Sequence, residues 1–158
     1  MLNDDYKDML QALVGEKVEF LLVGAYALAA HGYPRATMDI DIWVMPAPGN
    51  AAAVVRALHR FGAPLHDATQ ADFEKAGTVF QIGVAPRRID IITAASGLRF
   101  EEAFHNATVV DIEGIPVHVL SVADLIRNKR ATGRIRDLAD AEALERLDRS
   151  APRVSGDN

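Results

Sequence analysis

The segment from Phe20 to Val44, FLLVGAYALAAHGYPRATMDIDIWV, restricts the fold more than any other part of the chain. Residues Val18 to Val23 are almost continuously apolar, the pattern of a strand covered on both faces and central in its sheet. Gly24 interrupts the run. Ala25, Ala27, Leu28, Ala29 and Ala30 then make a helix slim enough to lie close against that sheet, with Gly32 placed to end it after His31. Tyr33-Pro34 forces an extended exit. In the strand that follows, side chains alternate between faces, so Asp39 and Asp41 share one face and Ile40 and Ile42 the other. Two like charges so close repel, and a fold gains little from them unless a cation sits between. A solvent-facing strand edge accounts for the pair equally well when it is taken alone.

The rest of the chain fits one domain, residues 1–149, with a tail over 150–158 (SAPRVSGDN) that has nothing to bury and reads as disordered. With 49% hydrophobic and 25% charged residues the 158-residue chain has the composition of a globular protein. It contains no cysteine, which excludes disulfides, thiolate metal sites and a thiol nucleophile and fits a cytoplasmic location. The start, MLNDDYKDML, has neither the basic nor the apolar region of a secretory signal, and no apolar run reaches the roughly 18 to 20 residues that span a bilayer, so no membrane contact is expected. The formal net charge of −5 means that any contact with phosphate must come from a local basic patch.

Asn3 caps an opening helix with Asp4 and Asp5 in its first turn and a stripe of Met9, Leu10, Leu13 and Val14. After the aspartate strand, Asn50 is placed as the cap of a helix over about 51–61, with Val54, Val55, Leu58 and Phe61 on its apolar side. Thr69 can cap a turn or two of helix through Phe73. Thr78 to Val84 and Arg88 to Thr93 read as neighbouring strands, the second with Asp90 between Ile89 and Ile91. A short helix around Phe100 to Phe104 leads to VVDIEGIPVHV, a hairpin turning at Glu113-Gly114. Ser121 and Asp124 open a helix to about Ala131, and Ile135, Leu138, Ala141, Leu144 and Leu147 carry a last one.

Chemistry gathers at a few of these positions. Asp90 is a third carboxylate isolated in an apolar strand, a costly placement unless it is paired or metal-bound. Asp39, Asp41 and Asp90 together are the hard oxygen donors that Mg²⁺ prefers, and Asp90 is then also the candidate base for an acceptor hydroxyl. Gly24 offers backbone N–H groups to a phosphate, or merely permits a tight turn. Arg35 is in reach of a phosphate or is a solvated loop arginine, and Thr37 can orient Asp39. In the basic run Arg127, Lys129, Arg130, Arg134, Arg136, Lys129 continues the apolar stripe of Val122, Leu125 and Ile126 and so points inward. It suits a phosphate clamp, or else it pairs with an acid such as Asp137. The histidines lack ligand spacing.

The strand-Gly24-helix unit followed by Asp39-Ile40-Asp41, with a third acid in Ile89-Asp90-Ile91, resembles the nucleotidyltransferase superfamily that includes DNA polymerase beta and the bacterial minimal nucleotidyltransferases. GAYALAAHGYPRATMDIDIWV together with DLIRNKRATGRIRDLAD is most similar to the AbiEii-like, toxin-type members. The resemblance covers about Val18 to Ala143. It implies an α/β (α+β) nucleotidyltransferase fold, a mixed sheet flanked by helices with a C-terminal helical pair. It also implies Mg²⁺, an NTP donor (ATP among them), and transfer of NMP to a hydroxyl of RNA such as tRNA, of protein or of a small molecule, with release of pyrophosphate. Matching positions make Asp39, Asp41 and Asp90 metal ligands and catalytic carboxylates, Gly24 and Ala25 the phosphate-side turn, and Lys129 the nucleotide-contacting lysine. A toxin role with a cognate antitoxin partner is implied as well. Ala25 stands where the family usually has Gly or Ser, which removes a hydroxyl and keeps the backbone N–H. A catalytically inactive relative that binds nucleotide or a partner as a regulator stays open. A phosphohydrolase built on Asp-x-Asp does not fit, because Trp43 stands where such enzymes carry Thr or Val.

Overall fold

The computed structural model describes residues 2–33 and 39–150. Among them the chain runs α1 (Asp4–Gly15), β1 (Phe20–Val23), α2 (Gly24–Ala30), β2 (Ile40–Val44), α3 (Pro48–Phe61), α4 (Gln70–Phe73), β3 (Val79–Ile82), β4 (Ile89–Ile92), α5 (Phe100–Asn106), β5 (Thr108–Ile112), β6 (Ile115–Val119), α6 (Val122–Thr132) and α7 (Ile135–Ser150). The six strands form one sheet in the order β3-β4-β2-β1-β6-β5. β1 is antiparallel to β2 and parallel to β6, and β2 is parallel to β4. The outer pairs β3–β4 and β5–β6 are antiparallel hairpins. The expected mixed sheet flanked by helices is therefore present, with the α6–α7 pair at the C-terminal end.

Local chemistry accounts for most of these elements. All of β1 is buried, as its apolar run requires, and it lies inside the sheet. Asn3 caps α1 by accepting the Tyr6 N–H at 2.8 Å. Thr69 and Asp72 close a reciprocal capping box around α4. The β5–β6 turn places Glu113 at φ 50° and Gly114 at φ 88°, the left-handed pair that a two-residue hairpin of this twist needs. The core is continuous: Met9, Leu10 and Leu13 of α1, Ile40 and Ile42 of β2, Val54 and Leu58 of α3 and Val117 and Val119 of β6 are all fully buried. Trp43 meets Phe100 edge to face at 5.2 Å between centroids.

Two expectations are corrected. Asn50 does not cap α3. The helix begins earlier, at Pro48, whose fixed φ suits a first turn, with Ala47 in the cap position. Asn50 is buried inside that turn, where its amide accepts from the Glu19 N–H at 2.7 Å and donates to the carbonyls of Glu19 and Met45 at 3.0 and 2.9 Å. It ties α3 to the chain on either side of the β1–β2 pair. In α7 the apolar stripe is buried only in the middle: Ala141 and Leu144 are covered, whereas Ile135, Leu138 and Leu147 are 86%, 43% and 51% exposed. Helical spacing gives the facing of a stripe, and it does not give how much of that stripe a neighbouring element covers. Asp39 stands immediately before β2, and β1 starts at Phe20. Residues 151–158, read as a disordered tail, and the loop positions Arg35 and Thr37 lie outside the described residues.

Candidate active site

The parallel register of β2 and β4 sets Asp41 directly beside Asp90, with Ile40 paired to Ile89 and Ile42 to Ile91. On the other side of β2, Asp41 pairs with Val23, the last residue of β1. Gly24 is therefore the next residue along, with φ +69°, and a Cβ built on it would lie 2.5 Å from Asp41 Oδ2. A side chain at position 24 would have to displace the carboxylate, so the turn requires glycine for two reasons, conformation and space.

Arg88 stands at the centre of these acids. Its Nε donates to Asp90 Oδ1 at 2.7 Å and its Nη2 to Asp90 Oδ2 at 3.1 Å, a bidentate fork. Nη2 also lies 3.4 Å from Asp39 Oδ2. The Arg88 backbone N–H donates to Asp39 Oδ1 at 3.0 Å, and its carbonyl accepts from the Ile40 N–H at 3.0 Å and from the Tyr6 hydroxyl at 3.2 Å. Tyr6 in turn meets Tyr26 of α2 edge to face at 5.5 Å. One residue thus joins both ends of the carboxylate pair to α1.

Burial is the first reason that the Asp41 carboxyl is pushed up from 3.8 to about 6; the charge of Asp90, a hydrogen bond with it, and the charge of Asp39 add to this, and Arg88 opposes. Asp41 accordingly holds a proton more readily than an isolated carboxylate does. The Arg88 guanidinium is held charged still more firmly by its hydrogen bond to Asp90 and the acid charges around it. The Tyr6 hydroxyl is pushed up to about 12, mainly by burial and then by Tyr26 and Asp39.

The fold thus gathers Asp39, Asp41, Asp90 and Gly24, with Ala25 in the first turn of α2. Lys129 pairs with other acids: its Nζ is 2.8 Å from Asp140 and 3.9 Å from Asp137, both on α7. It points inward from α6, as its spacing implies, and its ion pairs there are with α7 rather than with the three aspartates. Arg127 pairs with Asp124 at 3.8 Å, Arg130 with Glu145, and Arg134 with Asp137 at 3.6 Å. The residue that sequence reasoning passed over is Arg88. Its signal was the two-residue spacing to Asp90 in extended chain at the start of β4, which puts both on one face.

Three aspartates are a donor set of the right chemistry for a hard divalent cation, and Asp41 and Asp90 are direct neighbours across β2 and β4. In the arrangement seen, that guanidinium takes the cation's part. Among the described residues no group of three or more His, Asp or Glu side chains is disposed to hold a metal ion.

No protein-family model and no curated protein matches the sequence. Solved structures do match in fold. The provisionally assigned nucleotidyltransferase TM1012 of Thermotoga maritima superposes with a TM-score of 0.57 at 17% identity, over 96% of this chain and 97% of that one. The antibiotic-resistance factor ANT(2'')-Ia superposes with a TM-score of 0.58 at 15% identity, over 92% of this chain and 83% of that one. At such identities the likeness concerns architecture, and with the sheet order and the flanking helices it establishes that this chain has the nucleotidyltransferase fold.

Proposed function

We propose that the protein is a metal-dependent nucleotidyltransferase that moves NMP from an NTP to a hydroxyl acceptor. The observation that carries this reading is the pairing of Asp41 with Asp90 on adjacent strands, with Asp39 immediately before β2 and the close-approach turn at Gly24 against Asp41, within a nucleotidyltransferase fold. Asp39, Asp41 and Asp90 would hold Mg²⁺, which supplies charge neutralisation at the reacting phosphate and at the departing pyrophosphate. The acceptor oxygen attacks the α-phosphorus, the bond from that phosphorus to the bridging oxygen breaks, and pyrophosphate leaves with the bond's electrons. The hydroxyl proton passes to Asp90, the candidate base, which lies beside Asp41 across the β2–β4 pairing. The turn at Gly24 and Ala25 is the phosphate side of the site. Arg35 and Thr37 belong to this reading through the sequence alone, and so does Lys129, which must exchange Asp137 and Asp140 for phosphate in order to serve it. A toxin role, with a cognate antitoxin as partner, rests on the sequence resemblance.

One observation favours a second reading. The Arg88 guanidinium pairs with both Asp90 and Asp39, an arrangement that suits a relative that has lost catalysis and binds nucleotide or a partner as a regulator. Incubation with each α-labelled NTP, Mg²⁺ and cell extract separates the two. The catalytic reading expects label in RNA, protein or a small molecule and its loss in Asp39→Asn. Tight NTP binding without transfer of any label supports the regulator.

A further inference from the structure

Arg88 uses all of the oxygens that Asp39 and Asp90 offer. Both oxygens of Asp90 accept from its guanidinium, at 2.7 and 3.1 Å. One oxygen of Asp39 accepts the Arg88 backbone N–H at 3.0 Å and the other faces Nη2 at 3.4 Å. A divalent cation coordinates carboxylates through the same lone pairs, and a guanidinium held beside it would repel it. We propose that Arg88 is a built-in competitor of the metal: its guanidinium and a divalent ion are alternative occupants of Asp39 and Asp90, and metal binds only as the side chain leaves. The inference rests on the catalytic reading above and adds a residue to it.

The geometry separates the part of Arg88 that must move from the part that must stay. Its backbone N–H to Asp39, its carbonyl to Ile40 N–H and its carbonyl to the Tyr6 hydroxyl hold β4 to β2 and α1, and none of them involves the guanidinium. The side chain is 31% exposed, so rotation carries it toward solvent while the strand remains anchored. Without a metal, the guanidinium offsets the repulsion among three aspartates that would otherwise face one another across β2 and β4. It thereby makes the cluster a weak site for a free ion.

The test is calorimetric titration of Mn²⁺ into the full chain without nucleotide, together with the NMR signal of the Arg88 Nε–H during Mg²⁺ titration of the unaltered protein. Arg88→Gln is expected to bind Mn²⁺ on the order of tenfold more tightly than the unaltered protein, because the competing charge is gone. Arg88→Lys, which keeps the charge, should stay within a few-fold of it. In the unaltered protein the Arg88 Nε–H, protected by Asp90, should exchange faster with water as Mg²⁺ saturates the site. The NMR arm decides even if Arg88→Gln does not fold. Equal or weaker Mn²⁺ binding by Arg88→Gln, or an Nε–H that stays protected at saturating Mg²⁺, overturns the competition and leaves the metal-dependent reading standing. Failure of both proteins to bind Mn²⁺ overturns the metal-dependent reading and the competition with it.

Discussion

The Cα of Gly24 faces the carboxylate of Asp41 so closely that a Cβ at position 24 would lie 2.5 Å from Asp41 Oδ2. Gly24→Ala must therefore meet both a left-handed backbone, at φ +69°, and a collision with a carboxylate of the site. Gly32 has φ +89° but nothing within 4 Å of a Cβ, so Gly32→Ala carries the conformational cost alone. Thermal denaturation should show Gly24→Ala destabilised by about 1–3 kcal/mol and Gly32→Ala by about 1 kcal/mol. Only Gly24→Ala should also lose nucleotidyl transfer, since only there does the carboxylate have to move.

Asp41 links the site to stability through pH. Its carboxyl is raised from 3.8 to about 6 in the folded protein. The folded state then holds a proton that the unfolded chain releases, so this group's contribution to stability is complete below the unfolded value and is lost as pH rises through about 6. Asp41→Asn removes that loss. Melting curves should show the variant more stable than the unaltered protein by about 1–3 kcal/mol at pH 8, with the difference shrinking toward pH 4. A difference independent of pH would contradict the assignment.

Asn50 supports the β1–β2 pair from outside the site. Asn50→Ala strips partners from the Glu19 N–H and from the carbonyls of Glu19 and Met45, and should cost about 1–3 kcal/mol by denaturant unfolding. Transfer activity measured below the unfolding transition should be unchanged, because the residue does not touch the carboxylate cluster.

Much of this architecture is legible in the sequence because it is local. Period-two alternation puts Asp39 and Asp41 on one face, the almost continuous apolar run of Val18 to Val23 marks a strand inside the sheet, and Glu113-Gly114 marks the β5–β6 hairpin. The remainder depends on distant pairings. That Asp41 lies beside Asp90 follows from the parallel register of two strands separated by α3, α4 and β3, and no local pattern fixes that register. The approach of Gly24 to Asp41 needs the β1–β2 register as well. Arg88 carried a readable spacing to Asp90, yet its grip on Asp39 is visible only once β2 and β4 are joined. Asn50 looked like a cap because Asn commonly is one, while Pro48 two residues earlier starts the helix.

Lys129 bridges α6 to α7. Lys129→Met removes a cation shared by two half-buried acids, Asp137 and Asp140, and should lower stability by about 1–2 kcal/mol in thermal unfolding. Asp140→Asn in the Lys129→Met background should recover part of that loss. If Lys129 also serves the nucleotide, the KM for NTP should rise in Lys129→Met and not in Asp140→Asn alone.

The central claim is that Asp39, Asp41 and Asp90 run a transfer in which the bond from the α-phosphorus to the β-bridging oxygen breaks. The direct measurement follows α-labelled and γ-labelled NTP in parallel, with the unaltered protein and with Asp41→Asn, in the presence of Mg²⁺ and cell extract. The α-label is expected in an acceptor and the γ-label in pyrophosphate, with neither product from Asp41→Asn. Transfer of the γ-label to the acceptor, release of γ-label as orthophosphate, or α-transfer that persists in Asp41→Asn would contradict it.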